Sequence, residues 1–68
     1  MTPFMQRLTR LGPIIDEARH DLWYGDEPTC ERIVRLHRHA LNLWRKGKIR
    51  VAHRALDEIE RLAKEELP

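Results

Sequence analysis

Side chains that could do covalent or metal chemistry are few and poorly spaced in this chain. It contains no serine, which excludes a Ser-based catalytic triad. Its single cysteine, Cys30, stands where a helix could begin, and a helix N-terminus lowers a thiol pKa. A Cys–His nucleophile is one reading. A small apolar residue facing a neighbouring helix is the other, and the one expected. Glu17-Ala18-Arg19-His20 has the Glu-x-x-His spacing of di-metal carboxylate bundles. Both would-be ligands fall on the polar side of their helix, so no metal site is expected. His37 and His39 point about 200° apart around a helix and cannot chelate one ion. His37 lies in an apolar arc, as a core or interface imidazole or, more sharply, as part of a pH-sensitive interface. With no glycine-rich phosphate loop either, the expectation is a non-enzymatic protein with no cofactor.

Recognition chemistry is better represented. From Arg32 to Arg54 the chain has eight Lys or Arg residues and no Asp or Glu, while residues 1–31 and 55–68 each carry a net charge of −3. The formal total of +2 hides this segregation, which calls for a partner or a contact between subunits. Trp44 beside Arg45, Lys46, Lys48 and Arg50 is the leading candidate site, with Arg38 on the same helix. Trp and Arg are enriched at binding hot spots and also suit phosphate and base contacts. The competing reading makes Trp44 a plug in the core and leaves the cations merely solvated. Trp23 and Tyr24 form a second aromatic patch, either a partner-binding edge or a closure of a helix end.

The elements that position these groups read as helices throughout, in one domain spanning residues 1–68. Thr2-Pro3 is a start signal, a capping hydroxyl followed by proline. Phe4, Leu8, Leu11, Ile15, Ala18 and Leu22 form one stripe over 3–23. Gly12-Pro13 predicts a kink or break in it, giving pieces at 3–11 and 13–23. After a loop at Gly25–Pro28, Thr29 is expected to cap a helix over 30–46 that Gly47 ends. A last helix over 48–66 then folds back as an antiparallel hairpin. Two seams line the middle helix: Ile33, Leu36, Ala40 and Leu43, and beside them Val34, His37, Leu41 and Trp44. This apolar arc is wider than a single stripe, so the helix should touch two neighbours.

Sixty-eight residues bury a small core, and a lone cysteine offers no internal disulfide. Self-association is the remaining inexpensive route to stability. The expected homodimer interface uses Val34, His37, Leu41, Leu56 and Ile59. It would set the basic turn of one copy against the acidic open end of the other. Alternatively the turn stays exposed and grips an anionic partner. No apolar run is long enough to cross a bilayer, and no signal-peptide pattern appears, so a cytoplasmic, non-membrane protein is expected.

Thr29–Glu66 resembles, in architecture, the small dimeric helical hairpins of the Rop type. That resemblance implies a four-helix bundle and RNA binding. A short, Arg-rich, helical, Ser-free chain also resembles accessory proteins of phages and plasmids, several of which act by occupying a surface on a host regulator. The reading is therefore an all-α, homodimeric module that binds and inhibits a host or regulatory protein. A nucleic-acid-binding regulator using the basic turn is the alternative.

Overall fold

Thr2 opens the first helix. Its Oγ1 accepts from the Met5 N–H at 3.2 Å and its carbonyl from the Gln6 N–H at 3.0 Å. Pro3, at the first helical position, has no donor to leave unpaired. The computed structural model describes residues 2–24 and 28–65, with the backbone alone described at 21–24. The described residues form three helices and no strand: α1 (Pro3–Tyr24), α2 (Pro28–Arg45) and α3 (Ile49–Glu65). The all-α class expected from the apolar period is the class observed.

Two local expectations need correction. α1 runs through Gly12-Pro13 as one helix and does not divide into two pieces. Pro13 withholds the N–H that the Thr9 carbonyl would accept, but Pro13 and Thr9 both lie on the exposed face, where water can serve that carbonyl. The opposite face carries Phe4, Leu11, Ile15 and Ala18, each at most 5% exposed. Burying the three large side chains among them contributes roughly 5–8 kcal/mol before entropy. That outweighs the ~3 kcal/mol cost of an interior proline. The second correction concerns Thr29. α2 begins at Pro28, which suits a first-turn position, so Thr29 lies inside that turn and is 9% exposed.

Gly47 ends α2 as its residue type requires. Its φ is +82°, in the left-handed region that an L side chain enters only with strain. The Gly47 N–H donates to the Trp44 carbonyl at 3.0 Å and the Lys48 N–H to the Leu43 carbonyl at 2.9 Å. This is the Schellman closure, which satisfies two carbonyls that the helix end would otherwise leave open. α2 and α3 then pack side by side, and Arg32 near the start of α2 reaches Glu58 in the second half of α3 at 3.7 Å.

The core joins Ile33, Ala40 and Leu43 of α2 to Ala52, Ala55, Leu56, Ile59 and Leu62 of α3, with the α1 stripe laid against them. Small residues at 40, 52 and 55 let the α2 and α3 axes approach. Val34, Leu41 and Trp44, from the second seam of α2, are partly buried against this core. The neighbour their arc requires includes α1 of the same chain, since Phe4 stacks on Trp44 and Arg19 reaches His37. Leu56 and Ile59 are fully buried within one chain, so neither presents a surface to a second copy, contrary to the expected interface. The Cα envelope measures 34 × 18 × 18 Å.

Candidate interaction surface

The turn between α2 and α3 gathers the candidate cations at one end of the bundle. Arg45 closes α2, Lys46 and Lys48 flank Gly47, and Arg50 and Arg54 follow on the first turns of α3; all five are exposed. Among the described residues none of them meets a carboxylate. Phe4 stacks on Trp44, which places the start of α1 at this end too. Neither α1 nor α3 has an acidic residue in its first turn. Two positive helix ends therefore add to the side-chain charge. Arg38 is exposed two turns earlier on α2, about 10 Å along the axis from Arg45 and on the same face.

Trp44 does not crown this patch. Its ring lies flat on Phe4, with centroids 5.4 Å apart and planes at 8°, while Phe4 meets His53 edge-on at 5.7 Å. Its indole is half-buried and plugs the bundle, the more structural of the two sequence readings. Among the described residues the exposed large apolar groups are instead Ile49 and Val51, each 43% exposed. Two residues apart on a helix, they project about 200° from each other and so stand on different flanks of the cationic turn. Trp23 and Tyr24 belong to the last turn of α1, and their side chains lie outside the described residues.

Away from the turn, Arg7, Arg32, Arg35 and Arg61 meet acids. Arg7 projects from α1 onto α3 with its side chain only 17% exposed. Its guanidinium donates to Asp57, to Glu60 Oε1 at 3.2 and 3.3 Å, and to the His53 carbonyl at 3.2 Å. Arg7 Nη1 also lies 3.1 Å from His53 Nδ1. Since Arg can only donate, this contact requires the imidazole proton on Nε2. Burial opposes the Arg7 charge, but Asp57 and Glu60 more than offset it, and its pKa rises. Arg35 pairs with Glu31, and Arg61 pairs with Glu58 and Glu65. The fit of Arg7 to Asp57 and Glu60 was not legible in sequence. The nearest signal was two acids three residues apart, Asp57 and Glu60, on one edge of α3.

His37 is half-buried, with its Nδ1 3.1 Å from Arg19 Nη2. Burial first, then Arg19 and Arg38, push its pKa below 6.5, against a smaller opposing pull from Asp16. Cys30 is fully buried, which denies its thiol the exposure a nucleophile needs. Glu17 and His20 are both exposed, and the described residues contain no cluster of three or more His, Cys, Asp or Glu that could hold a metal ion. Among them no helix is long and apolar enough to cross a membrane.

No protein-family model matches the chain, and neither a curated protein nor a solved structure shows significant similarity to it.

Proposed function

We propose that this chain is a non-enzymatic protein-interaction module that inhibits a host or regulatory protein by covering an acidic surface on it. The α2–α3 pair serves as a rigid helical hairpin that presents the basic turn. One observation carries this reading: five exposed cations without carboxylate partners stand beside the exposed Ile49 and Val51. A purely phosphate-directed surface has no use for the two apolar groups. A protein interface does, since its centre is apolar and its rim charged. Arg45, Lys48 and Arg50 would steer and select, with Val51 taking the anchoring role that Trp44, turned inward, does not fill.

The test is capture of partners on C-terminally tagged protein, with and without nuclease, beside the double variant Arg45→Glu/Arg50→Glu. A nuclease-resistant protein partner lost in the variant supports the reading. Capture that disappears with nuclease and falls steeply with salt replaces it with the nucleic-acid alternative, which the same unpaired cations favour.

A further inference from the structure

Resting on that protein-binding reading, we infer that the groove between α2 and α3 on the flank away from α1 docks an acidic amphipathic helix of the partner. α1 shows what such a groove accepts. It lies along the Val34–Trp44 side of α2, Phe4 on Trp44 and Arg19 on His37, and reaches α3 through Arg7. Among the described residues no helix lies on the other flank.

An open recess of about 280 Å³ is lined there by Arg32, Arg35, Leu36, His39 and Glu58. Leu36 is half-buried and packs against the core, so it forms the floor. The Arg32–Glu58 contact sets the register of the two helices. In that register His39 comes level with Val51, because each lies seven residues toward the turn from its member of the pair. Val51 shares the edge of α3 that carries Glu58, so the apolar floor continues from Leu36 to Val51.

The rim is cationic near the turn, where Lys46 and Arg54 have no carboxylate partner among the described residues; at the other end Arg32 and Arg35 are paired with Glu58 and Glu31. A helix with an apolar stripe and acidic flanks complements both floor and rim. A second copy laid parallel in the groove would set its own Lys46 and Arg54 against these cations; an antiparallel copy is the competing occupant, which a mass measurement separates from a partner helix. The partner helix would stand where the fourth helix of a bundle stands, 8–10 Å from each axis by the usual packing distance.

The probe is a synthetic amphipathic peptide of about five helical turns, the length of α2, with a leucine stripe flanked by glutamates. A twin carrying lysines on the flanks and a single-stranded oligonucleotide are the comparisons. Fluorescence anisotropy should show binding of the acidic peptide alone. Val51→Glu, at an exposed position, should weaken it about tenfold with unchanged helical circular dichroism, and Lys46→Glu/Arg54→Glu by a similar factor. Methyl NMR should show the Leu36 and Val51 signals shifting on binding while Met5 of α1 stays in place. The groove assignment falls if Lys48→Glu/Arg50→Glu abolishes peptide binding and Val51→Glu does not, a result that leaves the basic turn as the protein-binding surface. Equal binding of both peptides overturns it. Binding of the oligonucleotide alone overturns it together with the protein-binding reading. A dimer mass that Val51→Glu converts to a monomer assigns the groove to a second copy instead.

Discussion

Arg7 and Arg50 are the same residue in opposite circumstances. Arg7, largely buried, has two carboxylates, a backbone carbonyl and an imidazole around its guanidinium. Arg50 is exposed and has none of these. The difference extends to the regions around them. On the α1–α3 face Arg7, and far from the turn Arg35 and Arg61, meet acids, as cations do when charge serves folding. The turn end accumulates one sign beside two helix N-termini, which the dipoles disfavour by about 0.3–1 kcal/mol per mismatched group. Matched charge stabilises; unmatched charge at an exposed end is tolerated for what it binds.

Variants that exchange these properties should separate fold from function. The largest effect is expected from Phe4→Ala, which removes a fully buried ring and its stack on Trp44. A loss of about 3–5 kcal/mol in denaturant-derived stability, with a change in tryptophan emission, is the expected outcome. Arg7→Leu should cost about 2 kcal/mol by the same measurement, because it deletes a cluster of charge-assisted bonds between α1 and α3. A cost below about 0.5 kcal/mol would show that the matched region owes its stability to packing alone.

At the turn, backbone and charge variants should act in opposite directions. Gly47→Ala is destabilising by about 1–2 kcal/mol for its backbone conformation, although nothing lies near enough to clash with the added methyl. Arg50→Glu, by contrast, places an acid in the first turn of α3 and should raise stability by about 0.3–1 kcal/mol while binding is lost. A variant that gains stability and loses its partner would be the sharpest demonstration that the two regions answer to different demands.

The smallest effect concerns pH. The folded-state pKa of His37 lies below its ordinary 6.5, so on acidification the unfolded chain takes up a proton before the folded one does. Stability is therefore complete above 6.5 and declines as pH falls from there toward the depressed folded value. Thermal melts should show a shallower decline over that window in His37→Gln.

Much of the architecture was legible because helices write their period into the sequence. Thr2-Pro3, the Ile33–Leu43 seam and Gly47 each specify a local geometry that no distant residue needs to complete. What escaped depends on neighbours. Periodicity gave the width of the apolar arc on α2 but not the identity of its cover, and α1 supplies it within the chain. Gly12-Pro13 broke a local rule that tertiary burial of the Phe4–Ala18 stripe overrode. The basic turn was legible as composition. The inward rotation of Trp44 was not, because nothing in the sequence announces Phe4 as its stacking partner.

The stack of Phe4 on Trp44 also fixes where the polypeptide enters the bundle. Thr2 emerges beside the cationic turn, whereas Glu65 lies at the opposite pole, about 25 Å away along α3. A purification handle or fluorescent fusion placed ahead of Thr2 would shadow the very surface under study; the same handle beyond Glu65 would leave it open.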